Sequence, residues 1–210
     1  VIDAQSSGRI INVTDTSSLT VTRLGFKNAV ADGLGGGAIY SQGTVTVTGS
    51  TFTNCSTTGL TASGGAIRTG GNLVVSGSTF SHCSTSGQEA PGGALFATGS
   101  ITVLDSRFSH CSTEGNIGGG ALFSDDGTVT VTGSDFTQIS SEKGQGGVIY
   151  SSGNYPATIR SSTFTDCYGG AGGGAVTAND NLVVSGSTFT NCSANYPGGA
   201  IKAAGAVTIT

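Results

Sequence analysis

A chain of 210 residues is long enough for one ordinary domain, but 37 Gly, no Trp, no Met and only 10% charged residues describe something more repetitive. A net charge of −4, with eight scattered Lys and Arg, excludes a protein that tracks nucleic-acid phosphates. No apolar run approaches the roughly 18 residues of a membrane span, and no signal-peptide pattern is visible. The Gly and Ser content would suit disorder, yet β-branched residues alternate regularly, which argues for strands.

In chain order, residues 1–17 hold the short apolar run RIINVTDT, read as the last strand of an incomplete first turn, and the first full turn opens at Ser18 with SLTVT. Corresponding runs follow at Thr44–Thr48, Asn72–Ser76, Ser100–Leu104, Thr128–Thr132, Pro156–Arg160, Asn181–Ser185 and Ala206–Thr210. Alternation places Val45 and Val47 on one side and Thr44, Thr46 and Thr48 on the other, the period of a half-buried strand.

A second strand carries one Phe per turn: Phe26, Phe52, Phe80, Phe108, Phe136, Phe164 and Phe189, spaced 25 to 28 residues apart. Two residues later stands a polar column of Asn28, Asn54, His82, His110, Gln138, Asp166 and Asn191, read as a corner ladder whose side chains bond stacked backbone groups. One further on, Ala29, Cys55, Cys83, Cys111, Ile139, Cys167 and Cys192 share a column; Ala and Ile in it mark the position as apolar. The five cysteines are therefore read as buried free thiols in preference to disulfides or metal ligands.

A loop of variable length leads to paired glycines, from Gly36-Gly37 to Gly198-Gly199, whose spacing suits a tight corner with positive φ or close backbone approach. A third strand follows, with Ile39, Ile67, Leu95, Leu122, Ile149, Val176 and Ile201 pointing inward and Tyr40, Arg68, Phe96, Phe123, Tyr150, Thr177 and Lys202 pointing outward. Repetition at this period means that each unit is one coil of a stack that cannot bury its apolar face alone. The expected fold is all-β: a right-handed parallel β-helix, three strands per turn and about seven turns, forming one domain over residues 1–210.

The GGA-(I/L/V) step together with the Phe-bearing Ser/Thr strand, over about residues 18–210, resembles the repeats of chlamydial polymorphic outer membrane proteins, which are surface autotransporter adhesins, and related β-helix repeat proteins. In that family Asn typically stands three residues after the Phe, where this chain has mostly Cys. The resemblance implies an extracellular, cell-surface, adhesive role.

Function is read from the columns. The outward aromatics Tyr40, Phe96, Phe123 and Tyr150, with Arg68 among them, form the candidate recognition surface for a host-surface protein or glycan. Asn12 is the expected glycan acceptor, because the other sequons, Asn54 and Asn191, sit at corners expected to be inaccessible. No cofactor or metal is called for, and no catalytic residue: among the acids, Glu89 and Glu114 are expected to approach each other without a neighbouring Lys or Arg. Asp135 is expected beside Arg107. The first residue is Val, as in a processed or excised piece, and neither end shows a cap, so further turns of a longer rod or neighbouring copies in a head-to-tail filament are the expected partners. The favoured function is a non-catalytic structural and adhesive β-helix; the alternatives are a carbohydrate-active β-helical enzyme of lyase or hydrolase type and, more remotely, an ice-binding protein built on the Thr20, Thr46, Thr102, Thr130 and Thr158 rank.

Overall fold

The computed structural model describes residues 1–196 and 199–210, and among them every strand pairing is parallel. Four sheets run the length of the rod. Strands of the threonine sheet lie within a residue of the expected spans, at Leu19–Thr22, Val45–Thr48, Leu73–Ser76, Ile101–Leu104, Val129–Thr132, Ala157–Arg160, Leu182–Ser185 and Val207–Ile209. The phenylalanine sheet includes Thr51–Thr53, Thr79–Ser81 and Arg107–Ser109, and the aliphatic sheet includes Ile39–Ser41, Ile67–Thr69 and Leu95–Ala97. Residues 1–17 already form part of a coil, since Ile2 pairs with Phe26 and Ile11 with Ile39.

The fourth sheet differs from the expectation of three strands per turn. Its members, such as Ser56–Thr57, Ser84–Thr85 and Ser112–Thr113, follow the cysteine column at the start of the variable loop. A two-residue Ser-Thr strand has too few positions to display a period. Its Thr hydroxyl turns inward and closes the loop: Thr57 Oγ1 donates to the carbonyl of Ala62 at 2.6 Å, and Thr85 Oγ1 to that of Ala90 at 2.7 Å.

Like residues lie over like. Phe80 pairs with Phe52 and Phe108, and their ring centroids are 4.7 and 4.8 Å apart with planes 3° and 4° from parallel. Phe52, Phe80, Val45, Val47, Ile67, Leu95 and Cys83 are fully buried. Burying each Phe contributes roughly 1.5–3 kcal/mol, and the parallel ladders fix which side chain it meets.

Three of the corners between these strands show how the sequence turns the coil. Ahead of each Phe strand the backbone enters the left-handed region, at Gly49 (φ 58°), Gly77 (55°) and Gly133 (61°), but also at Asp105 (48°) and Ser161 (48°). The next residue begins a buried serine ladder. Ser78 N–H donates to Ser106 Oγ at 3.1 Å and Ser106 N–H to Ser134 Oγ at 3.2 Å, while Ser78 Oγ donates to the Ser76 carbonyl at 2.9 Å. Each hydroxyl thus satisfies a backbone donor and an acceptor that a corner would leave orphaned.

The polar column after Phe is the second corner, with φ of 53° at Asn28, Asn54 and His110 and 54° at His82. This bend sends both Phe and Cys inward, although three residues apart. The ladder itself is corrected: its Asn side chains bond one another or a neighbouring carboxylate and not stacked backbone, as in Asn54 Nδ2 to Asn28 Oδ1 (3.4 Å) and Asn191 Nδ2 to Asp166 Oδ1 (3.0 Å), while His82 and His110 stack their rings.

At the third corner the two glycines divide the work. The first adopts positive φ, 66° at Gly64 and 71° at Gly92, whereas the second permits close approach: a Cβ on Gly93 would collide with the backbone of Gly120 and Ser112. Gly198 lies outside the described residues.

Candidate functional site

The outward column is a continuous register of Asn12, Tyr40, Arg68, Phe96, Phe123, Tyr150, Thr177 and Lys202. It lies outside the main core, as the alternation requires, but its middle is not the exposed strip expected from the sequence. Phe96 (7% exposed), Phe123 (3%) and Tyr150 (8%) form a second apolar cluster against which Ile117 of the variable loop packs. Phe96 and Phe123 stack at 5.4 Å, and Tyr150 meets Phe123 edge-on at 5.4 Å. Amide groups of Gln145 (3.5 Å) and Asn179 (3.3 Å) reach the Tyr150 hydroxyl. Loops longer than the coil needs therefore fold back over the aromatics, because burial of three rings outweighs ordering the loop.

The column is open at its two ends, where Asn12 and Lys202 are exposed. Tyr40 and Arg68 are half-buried; the Arg9 guanidinium lies 5.1 Å from the centre of the Tyr40 ring, and that of Arg68 lies 5.6 Å from Tyr40 and 5.3 Å from Phe96. Backbone carbonyls hold both cations: Arg9 Nε donates to Gly36 O at 2.9 Å and Nη2 to Gly35 O at 2.6 Å, and Arg68 Nη1 donates to Leu34 O at 2.5 Å. Burial, with Arg68 nearby, lowers the Arg9 pKa below the usual guanidinium range. Beside Arg9 is a cleft of about 340 Å³ lined by Ser6, Ser7, Gly8, Val30, Ala31 and Asp32. Two guanidinium groups gathered about the Tyr40 ring, next to a polar cleft, can pair an acidic group of a ligand.

The acids are arranged differently from the expectation. Glu89 N–H bonds the Leu60 carbonyl and Glu114 N–H the Thr85 carbonyl, so these two occupy different registers. Instead Glu114 and Glu142 follow the paired residues Thr113 and Ser141, on adjacent turns, and Lys143 comes next. Asp125 accepts from Ser152 Oγ at 3.3 Å. Arg107 Nε stands 3.5 Å from Asp135 Oδ2, as the sequence indicates, with both side chains at least half exposed. Arg107→Ala should shift the melting temperature by an amount worth under about 1 kcal/mol, measured by thermal denaturation.

All three sequons are exposed, which corrects the expectation that Asn54 and Asn191 are inaccessible: the αL corner projects their amides to solvent. Asn12 is exposed at the head of the outward column.

The five cysteines are free thiols, four of them buried. Adjacent sulfurs interact: the Cys192 hydrogen bond and burial push the Cys167 thiol up, and the same hydrogen bond draws Cys192 down to about 7. Iodoacetamide at neutral pH should therefore alkylate Cys192 first and reach Cys55, Cys83 and Cys111 only on unfolding, as peptide mass spectrometry would show.

The threonine sheet carries an outward rank of Thr20, Thr46, Val74, Thr102, Thr130, Thr158, Val183 and Thr208 in unbroken register. No helix long and apolar enough to cross a membrane occurs among the described residues.

Stacked parallel coils with buried ladders of like residues define a β-solenoid. The chain belongs to the family described as the right handed beta helix region, whose model matches residues 4–155 and again 97–210. No curated protein and no solved structure matches the chain.

Proposed function

We propose that the chain is a non-catalytic β-helix of an extracellular, cell-surface rod, and that it is adhesive through the open part of the outward column. The observation that carries this reading is the Arg9, Tyr40, Arg68 stack beside the polar cleft, in a stretch of the column outside the buried aromatic cluster that Ile117 covers. The partner chemistry is an acidic glycan or an acidic protein surface. The resemblance of the GGA-(I/L/V) and Phe columns to the repeats of chlamydial polymorphic outer membrane proteins motivates the same role. Asn12, exposed on the same column, is the proposed glycan acceptor if the source glycosylates.

Exposed apolar side chains on the outermost strand, Val207 (46%) and Ile209 (67%), suit coverage by a further coil, whether of the same chain or of a neighbouring copy. Glycan-array binding that Tyr40→Ala and Arg68→Ala abolish together supports the adhesive reading; binding unchanged by both removes it. Electron microscopy of native material would show rods if coils continue at the ends and short isolated particles if they do not.

The alternative of a carbohydrate-active enzyme is favoured by Glu114 and Glu142 on adjacent turns with Lys143 beside them. Release of reducing or unsaturated sugars that Glu142→Gln abolishes would establish it over the non-catalytic reading. Thermal hysteresis in freezing solutions tests the third reading, ice binding by the threonine rank.

A further inference from the structure

The second-corner column runs from Asn28 and Asn54 through His82 and His110 to Gln138, Asp166 and Asn191, all with left-handed backbone and all but one visible as side-chain partners of a neighbour or as stacked rings. His82 and His110 are exposed on adjacent turns, with ring centroids 4.6 Å apart and planes 4° from parallel. The preceding residues Ser81 and Ser109 are paired in the phenylalanine sheet, and the backbone amides of His82 and His110 donate to Ser109 O (3.0 Å) and Thr137 O (3.1 Å). Both imidazoles are therefore carried on the same rigid backbone shape, one coil above the other. Among the described residues neither imidazole hydrogen-bonds to a protein group, unlike the Asn54 and Asn191 amides of the same column.

We propose that His82 and His110 form a two-imidazole chelating site for a borderline divalent transition-metal ion such as Zn²⁺ or Ni²⁺. Imidazole nitrogen is the ligand type these ions favour over hard oxygen. Metal–nitrogen bonds of about 2.0–2.1 Å, each lying in the plane of its ring, put the two nitrogens sharing one ion about 3–4 Å apart, so the two rings, parallel and 4.6 Å apart without the ion, turn out of their stack to converge on it, as their exposure to solvent permits. The ladder holds the second imidazole beside the first, which converts two weak contacts into one chelate through effective concentration. Water, and the exposed Gln138 side chain on the next coil, are available for the remaining coordination positions. No cluster of three or more His, Cys, Asp or Glu able to hold a metal occurs among the described residues, so protein donors of those types supply two positions. Cys83 and Cys111, though adjacent in sequence, are fully buried on the inner side and take no part. An ion bound here clips two coils together and stabilises the folded chain by mass action.

The column itself supplies a benign substitution: Asn stands at positions 54 and 191 in the same αL geometry, so His82→Asn and His110→Asn preserve the corner. Isothermal titration of the native chain with Ni²⁺ and with Zn²⁺ should give one ion per chain and a raised thermal midpoint. Each single variant, with an unchanged circular-dichroism spectrum, should bind at least about tenfold more weakly because chelation is lost, and its midpoint should no longer respond to the ion. Failure of the native chain to bind either ion, or affinity in His82→Asn and His110→Asn equal to that of the native chain, overturns the proposal.

Discussion

Phe108→Ala is expected to destabilise the chain by about 3–5 kcal/mol, the upper range for truncating a buried side chain. Its ring is 1% exposed and lies between Phe80 at 4.8 Å and Phe136 at 4.9 Å, so deletion leaves a void bounded on two sides by rings that the ladders hold in place. Neighbouring coils cannot close the gap, because Phe108 pairs with Phe80 on one side and Phe136 on the other and the strand spacing is set by backbone hydrogen bonds. Phe189→Ala should cost less, since Phe189 is only partly buried and stacks on one ring, Phe164. Chemical denaturation of both variants compares the two; a smaller loss at Phe108 than at Phe189 would contradict a continuous ring stack.

Gly93→Ala is the second large effect, and it acts through the backbone. Its Cβ would overlap the Gly120 carbonyl oxygen and the Ser112 backbone, which belong to the next coil and cannot retreat without breaking the ladder. A loss of more than about 1–3 kcal/mol is expected, at or above the usual range for overpacking. Gly77→Ala is the informative contrast. Gly77 has φ 55° and nothing within 4 Å of an added Cβ, so only left-handed strain is incurred, and the equivalent corner positions hold Asp105 and Ser161 in other coils. Thermal denaturation should rank Gly93→Ala well below Gly77→Ala; similar midpoints would mean that coils are farther apart than described.

Much of this architecture is legible in the chain because it rests on repetition. The Phe column, the aliphatic column at Ile39, Ile67 and Leu95 and the alternation around Val45 and Val47 repeat at one period, and stacking like on like is the arrangement that buries them all. The paired glycines were readable for the same reason, although their separate duties, positive φ at Gly92 and close approach at Gly93, depend on coordinates. What stayed hidden is of two kinds. Ser78, Ser106 and Ser134 form a buried ladder, but in a chain where Ser and Thr are frequent at exposed positions their column carries no contrast. The fate of Phe96, Phe123 and Tyr150 depends on where Ile117 and its loop settle, and the intervals from Phe to the paired glycines vary from 9 to 12 residues. The same variation displaces Glu89 from Glu114 and aligns Glu114 with Glu142. Framework columns follow from periodicity; loop contacts do not. The open Tyr40 and Arg68 end of the outward column therefore had to be found in the structure, even though both residues stand out in the sequence.

The account depends on each coil adding one constant increment along a single axis. Spin labels introduced as unnatural residues at Thr46 and, in turn, at Thr130, Thr158 and Thr208 sample one outward rank at three, four and six coils of separation. Pulsed electron–electron resonance should give distances near about 14, 19 and 29 Å, rising by about 4.8 Å per coil. Distances that fail to grow in proportion to coil number would contradict a stacked parallel β-helix and the site built upon it.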